Sequence, residues 1–321
     1  MTRVLITGAT GFVGHVLCDQ LSQAGYLVRA ALRVDRPMPT SVSEKALIGD
    51  ISSSTDWRQA LEGVDLVIHL AARAHILHDA PLNSDLYMET NAHGTSRLAE
   101  AAARAEVGRF IYLSSIKVNG EETMGRAYTA TDEPRPQDAY GISKWLGEKA
   151  VIDIGAASDM EAIIVRSPLV YGPNVRANFL RLMRWVDKEW PLPLGAIENS
   201  RSLVSIWNLC DLLLHVSKHS AAPGRTWMVC DGEDLSTPEL IRRIGAAMDR
   251  RVRLLPVPPS LLQMVGGLAG RKAEIARLCG SLAVDMTRTR RELGWSPPMT
   301  VDEAIGRTVE WYLSKRISSD L

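Results

Sequence analysis

A Gly-x-x-Gly-x-x-Gly turn, set between a short apolar run and an amphipathic stretch, constrains this chain more than any other feature. Arg3 to Thr7 is rich in β-branched residues and leucine and reads as a buried strand. It leads into Gly8-Ala9-Thr10-Gly11-Phe12-Val13-Gly14, and the stretch that follows carries Phe12, Val13, Val16, Leu17 and Leu21 at helical spacing. Glycine permits the tight turn and lets backbone N–H groups approach a pyrophosphate, and the helix N-terminus adds partial positive charge. Glycines in a loose pattern are a weak signal. Placed after a first strand and before an amphipathic helix, with Gly25 and a second strand beyond, they are a much stronger one. The plainer alternative is a tight turn that holds no ligand.

The second strand, Leu27 to Leu32, is followed by Arg33 rather than by an acid, and Asp35 comes late. A nucleotide fold that selects NAD usually ends this strand with a carboxylate for the ribose diol, whereas an arginine pairs with the extra phosphate of NADP. NADP(H) is therefore expected, with Arg33 first and Arg36 second, and NAD(H) as the alternative; the plainer reading of Arg33 is a solvated surface charge. Ala46 to Gly49 reads as a third strand ending at Asp50-Ile51, suited to adenine. Val64 to Leu70 reads as a fourth, and the small residues of His69-Leu70-Ala71-Ala72 let backbone pass close to a cofactor. His69 reads as a packed strand-end residue. His75-x-x-His78 lacks a nearby third ligand, so no metal is expected.

Asn83 to Ala105 reads as one long helix, with Asn91 placed to hydrogen-bond into the core or to the next loop. Arg109 to Leu113 is a fifth strand, and Ser114-Ser115 lie at its carboxyl end, where parallel sheets bind ligands. A polar loop, Glu121 to Ala139, precedes a helix from Asp138 to Ile154 that carries Tyr140-Gly141-Ile142-Ser143-Lys144. Residues four apart share a helix face. A free phenol titrates near ~10, and a neighbouring ammonium lowers that value, which suits a tyrosine to acid–base work. Alone, the spacing is as readily that of an ordinary amphipathic helix.

A sixth strand, Glu161 to Val165, runs into Arg166-Ser167-Pro168-Leu169-Val170-Tyr171-Gly172-Pro173. Strand and helix in steady alternation argue an α/β doubly wound parallel sheet over residues 1–172. Beyond, helical segments (178–189, 207–218, 237–249, 301–313) alternate with proline-rich links. They read as a smaller, mainly α substrate domain, 173–321, from which parts of 201–230 return to the first.

The 321 residues allow a large core, and 37 basic against 37 acidic side chains leave no surplus for nucleic acid. The four cysteines are far apart, as in a reducing compartment. No signal peptide and no membrane span are expected, so location reads as cytoplasmic; Ser260 to Ala269, the most apolar stretch, reads as a buried or lid helix.

Taken together these residues resemble the extended short-chain dehydrogenase/reductases, in the nucleotide-sugar epimerase, dehydratase and reductase group. The resemblance covers essentially the whole chain. It rests on the turn from Thr7 to Gly14, Gly49-Asp50-Ile51, His69 to Ala72, Leu113-Ser114-Ser115, Tyr140 with Lys144, Arg166 to Pro173, and Leu293-Gly294-Trp295-Ser296-Pro297. It implies Ser115, Tyr140 and Lys144 as the catalytic group, with Lys144 binding the nicotinamide ribose and lowering the tyrosine pKa. It implies Gly8, Thr10, Gly11, Phe12, Val13 and Gly14 at the phosphates and Asp50 and Ile51 at the adenine. Leu70, Ala71, Ala72, Asn91, Ser114, Pro168 and Val170 would line the rest of the cofactor. Asn178, Leu194, Arg201 and Arg277 would hold a UDP-sugar, with Arg201 at its diphosphate. It also implies a homodimer built on the helix from Asn83 and the Tyr140 helix.

Departures from the family's pattern narrow the activity. Sugar-nucleotide 4,6-dehydratases place an Asp-Glu pair after the catalytic Ser/Thr; here Ile116 and Lys117 stand there, so dehydration is not expected. An aromatic usual before Gly120 is Asn119, and an asparagine of many 4-epimerases is Leu169. Two activities remain. One is NADPH-dependent reduction of the C4 ketone of a UDP-4-keto-6-deoxy-N-acetylhexosamine for surface polysaccharide, which Arg33 favours. The other is an NAD-dependent UDP-hexose or N-acetylhexosamine 4-epimerase. A carbonyl reductase for a steroid or flavonoid would need an apolar pocket in place of Arg201. A catalytically inactive dinucleotide-binding regulator would be expected to lack Tyr140 or Lys144.

Overall fold

The structure is a computed structural model that describes residues 1–74, 81–268, 270 and 272–319. Ten strands are described: β1 (Arg3–Thr7), β2 (Leu27–Leu32), β3 (Glu44–Leu47), β4 (Leu66–His69), β5 (Arg109–Ser115), β6 (Glu161–Ser167), β7 (Leu169–Tyr171), β8 (Arg201–Ser205), β9 (Arg225–Met228) and β10 (Asp234–Leu235). Seven form one parallel sheet in the order β3-β2-β1-β4-β5-β6-β9. The order reverses between β1 and β4, where Thr7 pairs with His69, and a crevice at such a switch point is the usual ligand site of an open parallel sheet.

Helices cover both faces: α1 (Phe12–Gln23), α2 (Arg58–Leu61), α3 (Pro81–Tyr87), α4 (Gly94–Arg104), α5 (Ala139–Ala156), α6 (Ala177–Asp187), α7 (Ile206–Val216), α8 (Thr237–Met248), α9 (Pro259–Leu268), α10 (Lys272–Cys279), α11 (Thr287–Leu293) and α12 (Val301–Ser319). Strand alternation sorts the core. Val4 and Ile6 face Leu17 and Leu21 of α1 and Leu209, Leu212 and Leu213 of α7. Leu5, between them, faces the layer of Leu98, Ala99 and Ala102 from α4 and Val151 from α5. A third cluster joins α6, α8 and α12 around the small sheet β10-β8-β7. β9 belongs to the large sheet, although it follows β8 of the small one.

Three segments differ from the sequence reading. The third strand lies at Glu44–Leu47 rather than 46–49: it is an edge strand, so its apolar end at Leu47 is exposed and carries no burial signal. The long helix is interrupted at Met88–His93 by a π-helical turn, which a 3.6-residue period does not reveal. The apolar α9 is buried only at Leu262 and Gly266, while Leu261, Met264, Val265 and Leu268 are exposed, so it is a surface helix. His75, His78 and Ala269 lie outside the described residues.

Candidate active site

The glycine turn is too tightly packed to admit side chains at Gly8 and Gly14. Gly8 has φ +71°, and a Cβ there would lie 2.9 Å from the Ala71 nitrogen; one at Gly14 would lie 2.1 Å from the Gly8 carbonyl oxygen. Backbone thus packs on backbone, with Gly11, Phe12 and Val13 leading into α1 and Thr10 exposed beside them. The residues Leu70 and Ala71 lie against Gly8, and the exposed Ala72 follows. At the far end the Arg33 guanidinium lies 3.5 Å from the Asp50 carboxylate, both largely exposed, and Ile51 packs on Gly94. Deeper in the sheet the Ser114 hydroxyl is buried without a hydrogen-bond partner among the described residues. A side-chain-free cradle at a helix N-terminus and a spare buried hydroxyl at a strand end fit a dinucleotide. Pro168, buried, and Val170 of β7 follow β6, the next strand, whose Ser167 donates to the Ser114 carbonyl at 3.4 Å.

Ser115, Tyr140 and Lys144 converge at the carboxyl end of β5. Ser115 ends the strand and caps the following turn, accepting from the Lys117 N–H at 3.3 Å. Tyr140 occupies the first turn of α5, which Asp138 caps by accepting from the Gly141 N–H at 2.6 Å. Burial pushes the Tyr140 phenol up to about 12, although a hydrogen bond with Ser115 acts to lower it. Burial brings Lys144 down to about 7, with the Glu148 carboxylate acting to raise it. The Lys144 ammonium donates to the Leu113 carbonyl at 2.7 Å and lies 3.9 Å above the Tyr112 ring. The resemblance implied a tyrosine made more acidic by its lysine. In this structure burial is the largest influence on both groups, and the contact that lowers the Tyr140 value is Ser115.

Asn91 ties this trio to the loop that follows β4. It sits in the π-helical turn, accepts from the Arg73 N–H at 2.8 Å and donates to the Arg73 carbonyl at 2.9 Å and to Ser143 at 3.0 Å. Ser143 in turn donates to the Tyr140 carbonyl at 2.8 Å.

The residues expected at the substrate are less uniform. Arg201 donates to the backbone carbonyls of Arg277 and Gly280 at 2.8 and 2.9 Å, so it holds the end of α10, and burial lowers its pKa. Arg277 is exposed, and Asn178 is partly buried at the start of α6. The Leu194 side chain belongs to the core shared with Leu192 and Ile197, because the proline-flanked segment folds its apolar residues inward.

Sequence reasoning missed a buried ion network beside Lys144. The Arg166 Nε lies 2.9 and 3.2 Å from the two Glu148 oxygens, its Nη2 2.6 Å from one of them, and its Nη1 3.0 Å from Asn119 Oδ1. Two signals were present: Glu148 lies one helical turn beyond Lys144, and Arg166 interrupts an apolar strand and so needs a buried partner. Lys117, in the place of the dehydratase acid, is paired with Glu121 and with Asp138, the cap of α5. Among the described residues no group of three or more His, Cys, Asp or Glu is placed to hold a metal ion, and no helix is long and apolar enough to cross a membrane.

A seven-stranded parallel sheet with a glycine cradle at its switch point and a Ser-Tyr-Lys group at a neighbouring strand end defines a dinucleotide-dependent enzyme of the extended short-chain dehydrogenase type. The profile of the NAD dependent epimerase/dehydratase family matches residues 4–230, and the chain belongs to that family. A UDP-glucose 4-epimerase from Vibrio cholerae is 42% identical over 316 residues, covering 97% of this chain and 95% of that protein. Two solved structures share the fold. The Bacillus cereus UDP-glucuronic acid 4-epimerase in complex with NAD has a TM-score of 0.79 at 20% identity, over 98% of this chain and 99% of that one. The Bacillus cereus UDP-N-acetylglucosamine 4-epimerase has a TM-score of 0.78 at 20% identity, over 98% of this chain and 100% of that one.

Proposed function

We propose that this enzyme is an NAD-dependent UDP-sugar 4-epimerase. The observation that carries the reading is the meeting of Ser115, Tyr140 and Lys144 at the β5 end in a chain 42% identical, over nearly its whole length, to a UDP-glucose 4-epimerase. When bound at the Gly8–Gly14 cradle, the nicotinamide supplies a reversible acceptor and donor of the C4 hydride. Tyr140 takes the proton from the sugar O4 as the C4 alcohol is oxidised, and returns it when the ketone is reduced on its other face. Ser115 donates a hydrogen bond to the same oxygen. Lys144, as the ammonium, stabilises the phenolate form of Tyr140. Positioned proton transfer of this kind contributes about 10²–10⁴-fold. Arg201, the first residue of β8, bonded to the end of α10, and Asn178, at the start of α6, would hold the diphosphate, with Arg277 beside it.

A second reading keeps the same proton chemistry in one direction: NADPH-dependent reduction of a UDP-4-keto-6-deoxy-N-acetylhexosamine. Arg33 at the end of β2, where a ribose-binding acid would select NAD, favours it. Product analysis separates the two. UDP-glucose or UDP-N-acetylglucosamine incubated with NAD⁺ should give its C4 epimer. Absence of any epimer, with NADPH consumed against a UDP-4-keto sugar, would replace the first reading with the second.

A further inference from the structure

Five fully buried polar side chains outside the proton-transfer trio form one continuous hydrogen-bonded chain. Thr7, His69, Asn91, Thr95 and Ser143 are all inaccessible to solvent. Thr7 ends β1 immediately before the glycine cradle, and His69 ends β4 as its register partner. Thr7 Oγ1 lies 2.6 Å from His69 Nδ1, and His69 Nε2 lies 3.0 Å from Thr95 Oγ1. Thr95 donates to the Asn91 carbonyl at 2.7 Å, a shorter contact than its 3.0 Å to His69, so its one proton is assigned to that carbonyl and it accepts from His69 Nε2–H. His69 Nδ1 is then a bare acceptor and takes the Thr7 hydroxyl proton. Thr7 Oγ1, its proton spent, accepts from the Ala71 N–H at 3.1 Å.

We infer that His69, fixed as its neutral Nε2–H tautomer, is a positioning residue that sets the cofactor loop 70–73 relative to the Tyr140 helix. The inference rests on the dinucleotide reading of the cradle. Loop 70–73 is held at Ala71 through Thr7 and at Arg73 through Asn91, and Asn91 continues through Ser143 to the Tyr140 carbonyl. His69 is the only member of the chain that both accepts and donates through separate ring atoms, so it alone joins the β1 end to the α4 end. Stacking on Tyr112, at 5.5 Å between ring centroids, sets the plane of the imidazole, and the same Tyr112 ring lies under Lys144. A proton at Nδ1 would leave the Thr7 hydroxyl proton without this acceptor. Burial, with the nearby Lys144 charge, holds its pKa down to about 3, so the ring stays neutral through the working range.

The test is a split in ligand affinities. His69→Phe keeps an aromatic ring against Tyr112 but breaks both bonds; Thr95→Val keeps shape and breaks the bonds to His69 and to the Asn91 carbonyl; Thr95→Ser keeps the hydroxyl. Dissociation constants of NAD⁺, NADPH and UDP are measured by calorimetry for each. His69→Phe and Thr95→Val should weaken the preferred dinucleotide about tenfold or more while UDP binding changes less than about twofold, and Thr95→Ser should restore the dinucleotide affinity. Imidazole nitrogen NMR of the wild type should show an Nε2-protonated ring that does not titrate between about pH 5 and 9. Unchanged dinucleotide affinity in both disruptive variants, equal losses for dinucleotide and UDP, or an Nδ1–H or titrating ring would overturn the inference. A wild type that binds UDP but neither dinucleotide would instead overturn the cofactor reading beneath it.

Discussion

Glu148→Gln removes one negative charge from the interior with almost no change of shape. Arg166 and Glu148 side chains are only 5% and 2% exposed, and the guanidinium spends three of its four contacts on that carboxylate. The variant leaves a buried cation with neutral partners, which costs about 3–5 kcal/mol. At about 2–4 °C per kcal/mol, Tm should fall by roughly 6–20 °C. A second effect is chemical. The Glu148 charge favours the ammonium of Lys144, whose pKa stands at about 7. Without it the ammonium is lost at lower pH, so the alkaline limb of the kcat profile moves toward acid. Scanning calorimetry and kcat measured across pH read the two effects separately. Adding Arg166→Met should recover much of the stability, because the apolar side chain removes the stranded charge. An unchanged Tm together with an unmoved limb in Glu148→Gln would refute the reasoning.

Tyr140→Phe should retain UDP-sugar binding by calorimetry and lose about 10²-fold or more in kcat; near-normal turnover would sink its assigned role. Lys144→Met should be inactive yet fold normally. Its stability should also lack a slope: the wild type gains stability as pH rises from about 7 toward 10.5, because the unfolded chain binds more protons there, and the variant should not. Arg33→Asp should weaken NADPH and spare or improve NAD⁺, read as a ratio of dissociation constants. Arg201→Ala should raise the Kd for UDP and also loosen α10, since Arg201 bonds two of its terminal carbonyls; amide exchange at Gly280 reports the second effect.

The cradle was legible because its physics is local: Gly8 to Gly14 lie between a strand and a helix that the pattern reveals, and one turn of helix separates Tyr140 from Lys144. The parallel sheet followed from alternating apolar runs. What escaped depends on contacts between distant segments. Asn119, Glu148 and Arg166 meet only after β5, α5 and β6 assemble. The relay through Thr7, His69 and Thr95 spans three elements, and a lone histidine at a strand end gives no sign of it. Leu194 and Arg201 came from the family's pattern, which did not show that the leucine packs in the core or that the Arg201 Nη1 bonds backbone carbonyls at the end of α10. The direction of the Tyr140 and Lys144 pKa values was likewise not legible, because spacing shows the charge partner and hides the depth of burial.

The account stands on reversible hydride transfer at the sugar C4 beside Tyr140. The direct measurement is incubation of the wild type with UDP-glucose deuterated at C4 and NAD⁺, followed by NMR and mass spectrometry of the sugar. The epimerase account predicts a C4 epimer that keeps its deuterium, with no accumulation of reduced cofactor. An epimer that has lost its deuterium to solvent, or no epimer at all under conditions where UDP and NAD⁺ both bind, would contradict it.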